Sequence, residues 1–383
     1  MKRILNTALS VFKKLDPILL ACTLLLSAMS IVTIYGGRDA FGTRAVLMQT
    51  AMTLAGLVIT VIIANIEYQF IVERLWPFVA ALSVILLVLV LLFGESVGEN
   101  QSWLNIPFVN ILIQPSEFVK ASFILTFSYH IYKVRDTINK PLTLLGLGAH
   151  AAAIIGLILI SGDLGVALVY VGIVLVMLFC AGLSPLYYAG GLLAAVVAFP
   201  YIWPHLRPYQ QDRLVVGFNP ELDPLGKGYQ PLLSRSAIES GGFFGNGING
   251  GEIYKILPIS ESDFVFSTFC EKFGFIGALL MITVMIVLVV RLLFIARAAA
   301  KDYGSLICIG IAAMIVVQTT ENIGMCLAML PVIGITLPFM SAGGSSILAI
   351  NIIMAMAHSV YSHKTRKIYS YNVSERLHNV EDI

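Results

Sequence analysis

Ten apolar segments, each about long enough to cross a lipid bilayer as a helix, occupy most of this sequence. A helix rises 1.5 Å per residue, so about twenty apolar residues span the hydrocarbon core. We therefore predict an all-α membrane protein, a polytopic bundle of about ten transmembrane helices. Their approximate ranges are 18–35, 45–66, 75–93, 117–132, 142–160, 164–181, 185–203, 273–294, 305–327 and 344–361.

The composition agrees with this class and argues against others. Of 383 residues, 58% are hydrophobic and 12% are charged, whereas a soluble domain carries about 25% charged residues. The net charge of +2, without a basic stripe, does not indicate nucleic acid as a partner, so we expect partners and lipids of the membrane. The five cysteines form no CxxC pair and are interpreted as small buried residues rather than a disulfide or zinc framework.

The distribution of Lys and Arg predicts the orientation, because short loops rich in these residues stay in the cytoplasm. With the N-terminus inside, the short outside loops hold only Arg38 and Arg44, and the inside segments hold many more. Both termini are then cytoplasmic, and segment 204–272 is a large extracytoplasmic loop. It is rich in Gly and Pro, so we expect irregular backbone with short helices and one domain over residues 1–383.

Four charged residues lie at predicted membrane depth: Glu117, Lys120, Asp163 and Glu321. Charge is costly there and is usually functional. Glu117 and Lys120 are three residues apart, so they share a helix face and can form a salt bridge. A structural ion pair is therefore the alternative to a functional role.

Asp263 stands where the long loop re-enters the predicted membrane. A carboxylate beside apolar surface tends toward a raised pKa, which suits a general base, whereas a helix N-terminus lowers the pKa. Helix capping is the alternative, since Ser260 and Ser262 also precede an apolar run. From spacing alone, capping is the better explanation.

Two further segments contain many glycines or prolines. Residues 245–250 match GxGxxG, but no strand precedes them, so a dinucleotide site is not expected. A flexible turn, or backbone amides that approach a phosphate, remain as interpretations. Residues 330–346 cannot form one helix, and non-helical backbone at the membrane boundary is buried or lines a cavity. They are predicted to wall a lipid or substrate groove, or to form a tightly packed turn.

Taken in order, the motifs of this chain resemble the SEDS family of bacterial cell-wall synthesis, the RodA, FtsW and SpoVE proteins, and RodA most. The resemblance spans nearly the whole chain. It is carried by Trp103 and residues 114–120 (QPSEFVK), 162–165 (GDLG), 207–213 (RPYQQDR), 219–220 (NP), 223–230 (DPLGKGYQ), 240–242 (SGG), 245–247 (GNG), 257–258 (LP), 262–264 (SDF), 322–325 (NIGM) and 330–346.

The resemblance implies an enzyme that polymerises lipid II into glycan strands, with a class B penicillin-binding protein as its transpeptidase partner. The family's essential loop aspartate falls on Asp263, and its membrane-edge acid and base fall on Glu117 and Lys120. With the resemblance added, catalysis becomes a better explanation of Asp263 than capping.

The sequence departs from the family pattern at several positions. Ser102 stands where many members have Arg, so no phosphate contact is assigned there, and Glu321 stands where an apolar residue is usual. The other departures are Gly162 for Pro, Ile259 for Glu and Arg235 for Gln.

The mechanism that we expect is inverting transfer in one displacement, because the resemblance implies an α-linked donor and a β-linked product. Asp263 is the predicted base, and Glu117 would position the acceptor or help bind a divalent cation, Mg²⁺ or Mn²⁺; no nucleotide is expected. Arg offers a bidentate fork that suits phosphate oxygens. The proposed substrate-binding residues are Glu117, Lys120, Asp163, Arg207, Arg213 and Ser345, of which Lys120 and the two arginines would contact the pyrophosphate.

The same residues are also compatible with different roles. Arg207 and Arg213 could serve only loop solvation or a salt bridge with Asp212 or Asp223. The whole chain could be a transporter that flips lipid II or a related lipid-linked sugar, because membrane-embedded charge is common in transporters. A non-catalytic scaffold is a third hypothesis. Roles in elongation, division and sporulation differ chiefly in partners.

Overall fold

A computed structural model describes residues 14–97, 100–106, 111–205 and 208–364 of the chain. Within these residues a helix occupies each of the ten predicted membrane segments. The helices are α1 (Pro17–Gly36), α2 (Arg38–Ala64), the short α3 (Tyr68–Arg74), α4 (Trp76–Phe93), α5 (Pro115–Val134), α6 (Pro141–Ile160), α7 (Leu164–Cys180), α8 (Pro185–Ile202), α9 (Pro208–Phe218), α10 (Tyr229–Gly241), α11 (Ile253–Ile256), α12 (Val265–Ala298), α13 (Asp302–Cys326) and α14 (Gly344–Ser362).

Seven of these helices are long and apolar enough to cross a membrane. Two more, α7 and α8, are apolar but shorter, and α5 carries Glu117 and Lys120 in its first half. The chain is therefore a multi-pass membrane protein with a helical fold, as predicted. We call the end of the bundle that carries residues 203–264 the loop end, and the opposite end, with Leu15 and Ser362, the terminal end.

Helix α13 lies at the centre of the bundle, packed against α5, α7, α12 and α14. Helix α14 also packs along α2, where Gly56 lets Asn351 approach closely. By contrast, none of the described side chains of α8 is buried. At the terminal end, Arg291 of α12 donates to the buried Asp16 at 2.6 Å and so joins α12 to the start of α1.

A three-stranded antiparallel sheet connects α4 to α5, which the sequence did not predict. It consists of β1 (Glu95–Val97), β2 (Asn100–Ile106) and β3 (Ile111–Ile113), in the order β1-β2-β3. The backbone N–H of Gln101 in β2 donates to the carbonyl of Ser161 at 3.0 Å. The sheet is thereby attached to the turn between α6 and α7, at the loop end.

The helix predicted at 273–294 begins earlier than predicted, at Val265. Residues 265–272 thus belong to a helix rather than to the long loop, and the helix kinks at Gly274, where φ is 64° and ψ is −165°. The charges of Glu271 and Lys272 favoured a loop, but both side chains are buried and satisfied. Glu271 accepts backbone N–H groups of residues 252–254, and Lys272 donates to the carbonyls of residues 36, 248 and 250.

The long loop contains short helices joined by irregular backbone, as expected: α9, α10 and α11, with single 3₁₀ turns at Trp203–His205 and Pro220–Leu222. The glycine-rich turn 245–250 packs on α12. Four of its six backbone N–H groups are engaged: those of Asn246 and Gly247 donate to the carbonyls of Glu271 and Lys272 at 3.0 Å each, and those of Gly245 and Gly250 donate to the carbonyls of Gly241 and Gly247. The structure therefore favours a turn over a phosphate-binding loop, although the turn is packed on α12 rather than flexible.

Candidate functional site

A cavity of about 310 Å³ lies at the loop end, between β2, the turn before α7, the loop before α12, and segment 330–343. We call it the carboxylate cavity, because Asp163 and Asp263 both line it. Segment 330–343 has extended and turn backbone, so it does not form one helix, as predicted. Its residues Gly334, Thr336 and Gly343 line the cavity.

Asp263 lies two residues before α12 and is half-buried. It does not cap the helix, because Phe264 is the N-cap residue and makes no side-chain capping bond. Its Oδ1 accepts from the hydroxyl of Ser262 at 3.3 Å. Burial beside apolar surface raises the pKa of Asp263 to about 6. A carboxylate with this pKa is ionised at neutral pH and close to the range that suits a general base.

The position of Asp263 is fixed through its backbone. The Nδ2 atom of Asn322 on α13 donates to the carbonyl of Asp263 and to that of Ile335, at 2.7 Å each. The loop before α12 is also bonded to segment 330–343, because Ser341 donates to the carbonyl of Ser262 at 2.6 Å. Two walls of the carboxylate cavity are therefore held together by side-chain hydrogen bonds.

Asp163 caps α7 and faces the same cavity. Its Oδ1 accepts from the backbone N–H of Val166 at 3.1 Å, and its Oδ2 accepts from Nε2 of Gln114 at 2.9 Å. Burial raises the pKa of Asp163, and the negative charge of Glu117 acts in the same direction. Asp163 is thus a structural cap that also presents a carboxylate to the cavity.

Glu117 and Lys120 form the predicted ion pair, with 2.7 Å between Lys120 Nζ and Glu117 Oε1. Lys120 is only 1% exposed. The pair lines a separate cavity of about 10 Å³, which is about the size needed for one water molecule. This small cavity shares Thr336 and Ser346 with the carboxylate cavity. The pair therefore lies behind the cavity wall rather than in it.

Ser345 lies in the first turn of α14 and lines the carboxylate cavity. Its hydroxyl accepts from the backbone N–H of Gln114 at 3.3 Å. It therefore links the start of α14 to the start of α5, beside the amide that holds Asp163.

The two arginines predicted to contact pyrophosphate are not tested by the geometry. Arg207 lies outside the described residues, and Arg213 lies on α9 with a side chain that is not described. The carboxylates suggested as their partners are engaged elsewhere: Asp212 accepts from Nζ of Lys227 at 2.9 Å, and Asp223 accepts from the backbone N–H groups of Gly226 and Lys227.

The described lining of the carboxylate cavity contains two acidic side chains and no Lys, Arg or His. In the described part of the chain, no group of three or more His, Cys, Asp and Glu side chains could hold a metal ion. The described lining is therefore acidic and does not by itself make a complete metal site.

Sequence reasoning assigned no role to two residues that organise the site, Gln114 and Asn322. Both lie within motifs that carry the resemblance, which was the available signal. Their contacts join positions 49 and 59 residues apart in the chain, and spacing alone does not reveal such pairs.

Three comparisons place the chain among known proteins. A family model described as "Cell cycle protein", FTSW_RODA_SPOVE, matches residues 14–366. The chain is 33% identical to a probable peptidoglycan glycosyltransferase FtsW of Trichlorobacter lovleyi, over 87% of this chain and 89% of that protein. It is 32% identical to the peptidoglycan glycosyltransferase MrdB of Escherichia coli K12, over 94% of this chain and 96% of that protein. Among solved structures, the fold matches a chain of a peptidoglycan synthase complex that coordinates polymerization and crosslinking. The TM-score is 0.80 and the identity is 26%, over 92% of this chain and 99% of that chain.

Proposed function

The chain belongs to the FtsW, RodA and SpoVE family of cell cycle proteins, and we propose that it is a peptidoglycan glycosyltransferase that polymerises lipid II. Relatives that match most of its length carry this enzyme name. The observation that carries the proposal is Asp263, a half-buried carboxylate with a raised pKa that faces a cavity at the loop end.

Asp263 acts as the general base in this proposal. The 4-hydroxyl oxygen of the acceptor GlcNAc attacks C1 of the donor MurNAc, the bond from C1 to the pyrophosphate oxygen breaks, and the hydroxyl proton passes to Asp263. The polyprenyl pyrophosphate departs with the electron pair of that bond. One displacement inverts the α-linked donor to a β-linked product and needs no enzyme nucleophile, in line with one catalytic aspartate; glycoside hydrolases provide the analogy.

The leaving pyrophosphate needs positive charge, and no cationic side chain is among the described residues that line the cavity. A divalent cation, Mg²⁺ or Mn²⁺, fits this chemistry, because Mg²⁺ commonly binds one or two carboxylates together with substrate phosphates. Asp163 would hold it, with its oxygens already oriented by Gln114 and the start of α7. Bound there, the cation would neutralise charge on the pyrophosphate. Arg207 and Arg213 remain the proposed protein contacts of the pyrophosphate, whereas Lys120, paired with Glu117 behind the cavity wall, would act on it only through its charge.

We place the protein in the bacterial cytoplasmic membrane, with the loop end on the extracytoplasmic side and both termini in the cytoplasm. The excess of Lys and Arg in the short loops of the terminal end supports this orientation. The proposed partner is a class B penicillin-binding protein transpeptidase. Its support is the likeness to a chain of a peptidoglycan synthase complex.

The test is reconstitution of the purified protein with its cognate transpeptidase, Mg²⁺ and labelled lipid II. We expect glycan polymer from wild type and about a hundredfold to ten-thousandfold less from Asp263→Asn, since a general base contributes about 10²–10⁴-fold. The matched control is Asp136→Asn, an exposed aspartate at the terminal end and outside both cavities, which should polymerise normally.

Two results would refute the proposal in different ways. Equal polymer from wild type and Asp263→Asn would remove Asp263 from the reaction. No polymer from wild type, together with protein-dependent movement of lipid II across vesicle membranes, would favour the transporter.

A further inference from the structure

A second and larger cavity, of about 600 Å³, lies within the long loop, and the mechanism above does not use it. We call it the loop cavity. It is bounded by the end of α9, the turn that precedes α10, and the first turn of α10, together with Val332 of segment 330–343. This volume is within the range typical of ligand sites, about 300–1,000 Å³.

The loop cavity and the carboxylate cavity lie on either side of one short stretch of backbone. Val332 faces the loop cavity, and Gly334 lines the carboxylate cavity. The Cα atoms of two residues so spaced are at most about 7 Å apart. Helix α9 is packed directly on this stretch, since a Cβ on Gly217 would lie 2.5 Å from the Cα of Pro331. A ligand in the loop cavity would therefore lie next to the reacting groups.

The charged groups of the loop cavity are engaged within the protein. Asp223 accepts the N–H groups of Gly226 and Lys227, at 3.1 and 2.9 Å, and Lys227 is paired with Asp212. One acid and one base thus balance each other in the lining. Among the described residues that line it, the cavity offers neither the unpaired cation that an anionic ligand needs nor a cluster of acids for a metal ion.

Uncharged polar groups remain for a ligand. Among the described residues, the amide of Gln230 and the hydroxyl of Tyr229 have no hydrogen-bond partner, and Tyr229 is 41% exposed. An amide both donates and accepts, which suits hydroxyl groups that do the same. A tyrosine ring adds an apolar face with a polar edge. This combination fits a polyhydroxylated, largely uncharged ligand.

We propose that the loop cavity binds the sugar backbone of the growing glycan strand, next to the site where each new bond forms. The proposal rests on the proposed function, because only a polymerase has such a strand. Tyr229 and Gln230 hold sugars that have already been joined, so the strand stays on the enzyme between additions. The loop cavity therefore governs strand length, while the carboxylate cavity governs bond formation.

Strand length is the measurement that tests this role. Wild type, Tyr229→Ala, Tyr229→Phe and Gln230→Ala are given labelled lipid II, with and without transpeptidase, and the products are separated by length. Loss of one hydrogen bond or contact weakens binding about fivefold, so we expect Tyr229→Ala and Gln230→Ala to shorten the strands by about that factor. The rate of the first bond should fall much less. Tyr229→Phe, which keeps the ring, should lie between Tyr229→Ala and wild type.

A binding measurement separates a lost site from a misfolded loop. Short peptide-free glycan strands are added to the protein in nanodiscs, and saturation transfer to the sugar protons is recorded. We expect transfer with wild type, clearly weaker transfer with Tyr229→Ala at the same strand concentration, and full transfer with Tyr201→Ala, a control at an exposed tyrosine of α8.

Several outcomes would overturn the proposal. The first is strands of wild-type length from both Tyr229→Ala and Gln230→Ala. The second is an equal loss of first-bond rate and strand length in these variants. The third is a loss only of the stimulation by transpeptidase, which would make the loop cavity a partner site. If wild type itself made no polymer, the proposed function would fail instead.

Discussion

The carboxyl group of Asp263 is positioned by contacts to its own backbone, so its side chain remains available to the carboxylate cavity. If the side chain capped α12, its oxygens would accept hydrogen bonds from backbone N–H groups, and these bonds would lower its pKa. At this position burial raises the pKa instead.

The rate of glycan formation should therefore increase with pH. The base must be ionised, and the pKa of Asp263 is about 6, so the rate of glycan formation should rise with pH through about 6 and then level off. Below that point it should fall about tenfold per pH unit. The measurement is the initial rate of polymerisation at saturating lipid II across this range, with Asp136→Asn as the control variant. A rate that stays constant as the pH is lowered through 6 would contradict the assignment.

Glu321, a charged residue at predicted membrane depth, lies outside the carboxylate cavity. It was singled out because charge at membrane depth is usually functional. In the structure it lies on α13, three residues beyond Gln318, which lines the small cavity beside Lys120. One of its carboxylate oxygens is buried without a partner in the described part of the chain. It does not line the carboxylate cavity, and its role stays a prediction.

Among the elements, the helices were predictable and the sheet was not. Apolar runs of bilayer length give a strong signal, whereas β1 and β3 have three residues each and lie among residues without clear alternation. The start of α12 was misplaced because Glu271 and Lys272 indicate solvent when read alone. The partner of Glu271 lies in a turn about twenty residues earlier, and one partner of Lys272 lies at the end of α1. No local sequence pattern reveals such contacts.

The kink in α12 provides a prediction about the stability of the protein. Gly274 has a positive φ and a ψ near −165°, a conformation reached almost only by glycine. A Cβ there would also meet the backbone of Phe243 and Gly245. We expect Gly274→Ala to destabilise the protein by about 3 kcal/mol, seen as a lower midpoint of thermal unfolding at fixed scan rate.

The matched control is Gly156→Ala in α6, where a Cβ meets no atom within 4 Å. Alanine favours a helix by up to about 1 kcal/mol over glycine, so this variant should be as stable as wild type or slightly more stable. Equal midpoints for the two alanine variants would show that the kink does not need glycine.

For the whole molecule, the sequence predicted a single bundle, and the resemblance directed attention to Asp263, Glu117 and Lys120. The structure adds how they are arranged: one carboxylate in a cavity and an ion pair behind its wall. Gln114 and Asn322 could not be assigned from the sequence, because each acts across the bundle on a residue far away in the chain.

The orientation of the whole molecule can be tested by labelling. In a Cys180→Ser background, which removes the exposed native cysteine, Leu225→Cys places a thiol on the long loop at a position that is 91% exposed. Asp136→Cys places one at an exposed site of the terminal end. A membrane-impermeant maleimide should label Leu225→Cys in intact spheroplasts and Asp136→Cys only after permeabilisation. The reverse pattern would place the carboxylate cavity in the cytoplasm.

The double hydrogen bond of Asn322 has a mechanical consequence for the whole molecule. One amide nitrogen, carried by the central helix, connects the loop before α12 to segment 330–343. The width of the carboxylate cavity therefore depends on the central helix as well as on the loop contact between Ser341 and Ser262. A tilt or rotation of α13, caused anywhere along its length, would move both walls of the cavity together and would carry the backbone of Asp263 with them.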